Sequence, residues 1–400
     1  MHHRGTPSYK EFYLEFLCPN VPVLLNQSLT ASWPARHNWT KHCAASKSAE
    51  VCWEYLIEQY GDLEVTVADC AKSDSFGNQA RCAIPFRDVV QLWNTSEGKS
   101  LYVKDWHLAK QIELRLHNSA SATHTSFYTT PDIFRDDWMN AYYTAHTEDD
   151  FRFVYIGAEG TFTPLHRDVY TSYSWSTNII GRKRWWLFPP DQTRYLFMKH
   201  RKMSVYDVRN VDTKDFPEFH LARPIVVEQD EGETIFVPSG WYHQVENITH
   251  CISINHNWCN SVNLHSLYHS MCEKVVEVKE ALQDVLEMLS HNQSDDEWKA
   301  EWTKIVQDVV KHDAGWNFLT FWRMVLYALR NVASPVPDLS TSKSVFPHAP
   351  PNLRPPIQFV TEQIRMCYDD FRLRDRRECE GEVLEVVTEI GAILTSLQLS

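Results

Sequence analysis

The stretch from Thr163 to Pro190, TPLHRDVYTSYSWSTNIIGRKRWWLFPP, constrains this chain more than any other. His166 and Asp168 stand two residues apart in a run rich in β-branched and aromatic residues. On a strand, residues i and i+2 share a face, so this spacing predicts an imidazole and a carboxylate that converge. Two histidines and one carboxylate on one face bind non-haem Fe(II) and leave further coordination positions open. A second histidine must come from elsewhere, and His243 is the best candidate. An apolar strand, Thr234–Val237, leads into a Pro-Ser-Gly turn, and the strand that begins behind the turn carries His243.

His146 and Glu148 offer a rival pair at the same spacing, but AHTEDD is a polar run that reads as the loop before a strand Phe151–Gly157. Cys251, His256 and Cys259 match no closed four-ligand zinc spacing and lie in a strand-like run, so structural zinc is not expected. Lys183 sits in GRKRWWLFPP, beside two tryptophans. It is either a strand-edge charge or a buried cation. The buried reading requires an anion, and an organic dianion next to the metal would supply one.

Thr163, His166-x-Asp168, Lys183 within GRKRWWLFPP, and GETIFVPSGWYH ending at His243 together resemble the jumonji-C (JmjC) oxygenases. The runs TSYSWSTN, SINHNW and YKEFYLEFLCPNVPVLL are most similar to the jumonji-domain protein-four subgroup, lysyl hydroxylases that modify a translation release factor. The similarity extends from about Tyr9 to about Leu264. It implies a mixed α/β fold with a double-stranded β-helix (cupin-like) core and a C-terminal helical region. It also implies Fe(II), 2-oxoglutarate as co-substrate, and O2. On this resemblance His166, Asp168 and His243 hold iron, Lys183 pairs with the distal carboxylate of 2-oxoglutarate, and Thr163 hydrogen-bonds to it. Asn178, and Asn255 or Asn257, are candidates for polar lining. One departure is that Ser176 stands where some close relatives place an asparagine.

Three functions fit these residues: a protein hydroxylase acting on lysine, an N-methyl-lysine demethylase with the same oxidative chemistry, and a non-catalytic barrel used as a binding module. Here composition helps. The chain carries 39 basic and 52 acidic residues, a net charge of −13, which disfavours direct nucleic-acid partners. Nothing in it resembles a chromatin-reader module. The resemblance implies a protein partner, a release factor with an exposed lysine. No apolar run approaches the ~18 residues of a membrane span, and MHHRGTPSYKEF has no apolar signal region. Ten cysteines without a Cys-x-x-Cys pair suit reduced thiols, so a cytoplasmic location is expected.

In order, residues 1–130 read as an α/β region packing on the barrel. Helices are expected over Tyr9–Leu17, Ala49–Tyr60 (closed by Gly61) and Ile84–Trp93, and strands over Val21–Leu25, Leu63–Ala68 and Leu101–Lys104. Residues 131–260 read as the barrel, with strands at 151–157, 173–180, 184–188, 224–228, 234–237, 242–247 and 251–257. Asp191–Arg223 is an inserted loop whose basic run, Lys199–Lys202, reads as a solvated face. Residues 261–332 are helical: an apolar stripe runs from Leu264 to Leu289, and Ser294–Glu297 is a capping box opening a helix toward Arg330. A proline-rich linker fills 333–356, and 357–400 carries a final amphipathic helix over Val383–Leu397. The stripes are expected to pack on the barrel, with dimerisation the alternative.

Overall fold

The computed structural model describes the chain apart from residues 1, 4, 43–48, 76, 118–125, 200–202, 293–294, 334–345, 347, 375–380 and 399–400. It forms two compact units. One comprises Met1–Phe134, Asp149–Asp168 and Tyr173–Asn257; the other comprises Arg135–Glu148, Val169–Ser172 and Trp258–Ser400.

The first unit is built on strands. Its N-terminal part contributes β1 (His2–His3), β2 (Val23–Leu25), β3 (Thr40–His42), β4 (Ala49–Val51), β5 (Glu64–Ser73), β6 (Gln79–Pro85) and β7 (Leu101–Trp106). Then come β8 (Arg152–Gly157), β9 (Phe162–His166), β10 (Tyr173–Ile180) and β11 (Lys183–Phe188). The last are β12 (Ile225–Gln229), β13 (Thr234–Val237), β14 (Tyr242–Asn247) and β15 (Cys251–Trp258).

Strands β13, β10, β15 and β8 lie side by side in one sheet, and β12, β11, β14 and β9 in another. From β8 to β11, and again from β12 to β15, successive strands alternate between the sheets, which is the winding of a double-stranded β-helix. The first sheet continues through β2 and β1 on one side and through β7, β5 and β6 on the other, making nine strands among the described residues. Leu24, Ile235 and Val237 from the large sheet pack with Trp185, Leu187, Val227 and Val245 from the small one. Each such side chain, fully buried, contributes about 1.5–3 kcal/mol. Because β11 alternates faces, Lys183 shares the inward side with Trp185 and Leu187. The expected insertion is not bare: Leu196, Val205 and Ala222 cluster with Leu165 and Phe188 of the small sheet.

Several expected boundaries move. Ala49–Tyr60 is not one helix: Ala49–Val51 pairs with β3, and the helix covers Trp53–Tyr60. Gly61 follows it with φ −57°, not in the left-handed region, and a Cβ there would collide with the Ile57 carbonyl. Ile84–Trp93 likewise divides at Pro85. The chain before the proline is the edge strand β6, and the helix is Phe86–Trp93. A proline disfavours helical backbone in the residue before it, which explains the division. After Tyr9–Phe12 the chain widens into a π-helix over Tyr13–Leu17. A helix at Leu108–His117 was not expected.

The second unit is helical. It contains Trp138–His146, which places His146 at a helix end rather than in a loop. It also contains Leu264–Ala281, Gln283–Asn292, Asp295–Ala314, Phe318–Ala333, Ile357–Leu373 and Gly381–Ser396. The stripe from Leu264 to Leu289 is thus split at Leu282, and residues 357–400 hold two helices rather than one. Trp316, Phe318, Phe321, Trp322 and Phe371 are buried together, joined by edge-on and tilted ring contacts. Arg323–Glu382 and Arg330–Glu389 link the helices that follow Asn317 and Glu380. The expected capping box at Ser294 and most of the basic run and the proline-rich linker lie outside the described residues. No described helix is long and apolar enough to cross a membrane.

Candidate metal and co-substrate site

His166 ends β9 and His243 lies near the start of β14, and the two are direct partners in the antiparallel register. Their ring centroids are 4.2 Å apart. A register shift follows at once, between His243 and Val245, and it re-aims the side chains at this end of the strand. Asp168 lies just beyond β9, not on it, so its convergence with His166 is not the strand alternation that the spacing suggests. Even so, one ligating atom from each of His166, Asp168 and His243 lies within 4.8 Å of the others.

Each donor is oriented by a neighbour. His166 Nδ1 donates to the Pro164 carbonyl at 2.8 Å, and His243 Nδ1 to the Trp241 carbonyl at 3.2 Å. Those bonds place the proton on Nδ1 and leave each Nε2 with a free lone pair. Burial, then the neighbouring His243, pushes His166 down to about 4, so it is neutral at physiological pH. Ser174 Oγ donates to Asp168 Oδ2 at 2.8 Å, leaving the other oxygen open. Two imidazoles held by their Nδ1 atoms and a half-occupied carboxylate suit a divalent transition metal.

The turn before His243 is fixed from far away in sequence. Gly240, at φ 78°, takes the left-handed position of the Pro-Ser-Gly turn. Asn20 Nδ2 donates to the Ser239 carbonyl at 2.9 Å and Asn20 Oδ1 accepts from Ser239 N–H at 2.9 Å. Trp241 Nε1 donates to the Asn20 carbonyl at 3.0 Å.

Lys183 is 2% exposed. Its Nζ donates to Ser253 Oγ at 2.8 Å, and no carboxylate pairs with it among the described residues. Burial pushes the ammonium down to about 8. The edge-charge reading is therefore excluded, and a buried ammonium with one neutral partner is a receptor for an anion. Thr163, on β9, lies against the buried Tyr102 hydroxyl, which also meets Asn247. Gly157 leaves room for this meeting, since a Cβ there would collide with Asn247, Thr161 and Tyr102.

Of the polar candidates, Asn255 accepts from Ser176 Oγ at 3.1 Å. Asn255 and Asn257 alternate in step with Ser253 on β15 and so share its face. Asn178 is elsewhere employed: its amide donates to the Gly181 carbonyl in the β10–β11 turn. Sequence reasoning missed Ser174, Ser253 and Tyr102 as partners of the expected residues. Polar Ser174 and Ser176 on either side of Trp175 were the available signal for a polar inner face.

His107, Asp149 and Asp150 form a second acidic cluster. It is accounted for by charge pairing: Asp150 accepts from His107 Nδ1 at 2.6 Å and from Arg152 Nε at 2.7 Å, and Arg152 forks onto Glu113.

The family profile described as a cupin-like domain matches residues 9–263. The chain is 35% identical over 332 residues to the 2-oxoglutarate and iron-dependent oxygenase JMJD4 of Mus musculus, covering 80% of this chain and 71% of the relative. It is 32% identical to the human protein of that name, covering 80% and 73%. It is also 35% identical to the arginine-specific demethylase JMJ20 of Arabidopsis thaliana, covering 70% and 61%.

Proposed function

The chain belongs to the cupin-like JmjC family of iron- and 2-oxoglutarate-dependent oxygenases, and we propose that within it this enzyme is a protein lysyl hydroxylase acting on a translation release factor. The observation that carries the reading is the pairing of two open imidazoles and a carboxylate with the buried Lys183, with which no carboxylate among the described residues pairs, on the same inner surface. His166, Asp168 and His243 hold the iron through Nε2, a carboxylate oxygen and Nε2. Lys183 and Thr163 bind the distal carboxylate of 2-oxoglutarate. Ser176 and Asn255 line the space between.

When bound, iron and 2-oxoglutarate together activate O2 for insertion into an unactivated C–H bond. The chain's own contribution is placement. Carbonyls of Pro164 and Trp241 and the Ser174 hydroxyl fix the ligands, Lys183 orients the co-substrate, and the Trp185 and Leu187 side excludes water. The acidic surface suits a basic protein partner, and the enzyme works in the cytoplasm.

A second reading, demethylation, is favoured by the Arabidopsis relative's name. Both readings are tested by incubating the enzyme with Fe(II), 2-oxoglutarate, a release factor, and methylated lysine and arginine peptides, followed by peptide mass spectrometry. One added oxygen on a lysine is expected. Loss of a methyl with no added oxygen would replace the hydroxylase by the demethylase.

A further inference from the structure

A second lysine faces the same space. Lys104 lies on β7 two residues after Tyr102, so the two share a face. It is 5% exposed, and its Nζ is 5.7 Å from the centre of the Tyr102 ring. Its hydrogen bond is a long one, to Gln79 Oε1 at 3.4 Å. Gln79 is itself anchored, donating to the carbonyl of Phe162 on β9 at 3.0 Å. The adjacent Asp105 is committed to Arg81 at 2.9 Å and to the Tyr155 hydroxyl at 2.7 Å, and forms no ion pair with Lys104.

Register locates the ammonium. On β7, Val103 pairs with Ile156 and Trp106 with Val154, and the register shifts between them, so Lys104 and Asp105 together stand opposite Tyr155. Tyr155 pairs with Ser253, the residue that holds Lys183 Nζ. Lys183 reaches that rung from the small sheet and Lys104 from the large one. At Lys183 burial is the main influence against the charged form, and the charge of Lys104 adds to it. Burial works against both cations, Asp105 is the carboxylate that acts on Lys104, and a ligand carboxylate between the two ammonium groups offsets the cost of burying them.

We propose that Lys104 and Lys183 form a two-lysine clamp on the distal carboxylate of the co-substrate, with Lys104 selecting a dicarboxylate. This rests on the reading of the trio and Lys183 given above. With a divalent metal, the Asp168 carboxylate and Lys183, a dianion already makes the site neutral. Lys104 leaves the loaded site one unit positive, which strengthens retention of the dicarboxylate.

The test is anaerobic calorimetry on the protein loaded with Mn(II), which binds co-substrate without turnover. 2-Oxoglutarate is compared with 2-oxopentanoate, which has the same chain length but no distal carboxylate. Lys104→Met should raise the Kd for 2-oxoglutarate by roughly tenfold or more, the loss of one charge-assisted hydrogen bond. It should leave 2-oxopentanoate unchanged. The ligand-free variant should melt no lower than the wild type, since a buried charge has gone, and should lose part of the upward shift in Tm that 2-oxoglutarate produces. Lys104→Gln should behave alike and serves if the methionine variant does not fold. Unchanged 2-oxoglutarate affinity would overturn the clamp, as would equal weakening of both oxo acids. Lys183→Met separates this from the parent reading. If that variant also binds 2-oxoglutarate normally, the co-substrate assignment itself fails; if only Lys104 is silent, the clamp alone fails.

Discussion

Asp168→Ala removes the carboxylate of the trio while touching no core residue, so the fold should survive and iron-dependent turnover should vanish. Metal analysis with succinate release checks this; full activity with stoichiometric iron would show that the ligands lie elsewhere. Ser174→Ala is subtler. It frees Asp168 Oδ2 from its hydroxyl partner, and losing a group that orients a metal ligand typically costs 10–100-fold in metal affinity. Iron titration should show that loss with the Tm almost unchanged. Lys183→Ala leaves a buried carboxylate unpaired, which costs roughly 3–5 kcal/mol. The apparent KM for 2-oxoglutarate should rise by about two to three decades at ~1.4 kcal/mol per decade, with iron binding intact. Lys183→Arg should also fail, because a planar fork does not replace a compact ammonium. Lys183 also sets a pH dependence. Its ammonium is pushed down to about 8, so affinity for 2-oxoglutarate should fall as pH rises through about 8, where the cation is lost. The ligand-free fold responds with the opposite sign. Below about 8 the buried charge opposes folding, and that opposition fades up to the ordinary lysine range near ~10.4, where the unfolded chain still holds its proton. A Kd for 2-oxoglutarate that is flat between pH 7 and pH 9 would place the lysine's charge outside the binding event.

At the scale of elements, the turn before β14 is the piece on which the second histidine depends. Asn20→Ala deletes both side-chain hydrogen bonds to Ser239, each worth about 1 kcal/mol net and more if a buried group is left unmet. A lower Tm and weakened iron binding should appear together; weakened stability with normal iron affinity would mean that His243 is held by β14 alone. The strands that form the barrel were legible because their apolar and aromatic residues are bounded by glycine and proline. Thus Tyr173–Ile180, Thr234–Val237 and Tyr242–Asn247 have the extents expected of them. What escaped was edge and surface structure. Strand β6 carries mostly exposed residues and so shows no alternation, and Leu108–His117 is a short helix that buries Leu108 and Ala109 and pairs Glu113 with Arg152. The carboxylate's place beyond β9 escaped as well, since spacing alone does not distinguish a strand from the loop after it. Lys104 carried no motif. Its inward direction follows only from Tyr102 and the pairing of β7 with β8, which is tertiary information.

For the whole molecule, the net charge of −13 sets the partner class. No duplex DNA binding is expected at physiological salt, because counterion release on DNA needs basic surface. A fluorescence anisotropy titration checks this, and tight, salt-sensitive binding would redirect attention to chromatin. The helical unit follows the sequence pattern in its parts, as in Gly381–Ser396 with Val383, Val387, Ile390 and Leu394 buried. Its break at Leu282 is invisible to an apolar repeat that runs on regardless, and the helix Ile357–Leu373 was not expected. The central claim is that this site inserts oxygen from O2 into a protein lysine. Its most direct test is mass spectrometry of a release factor treated with the enzyme, Fe(II) and 2-oxoglutarate under ¹⁸O2. The account predicts one heavy oxygen on a single lysine, present with the wild type and absent with Asp168→Ala. A release factor left unmodified while methylated peptides lose a methyl would contradict it.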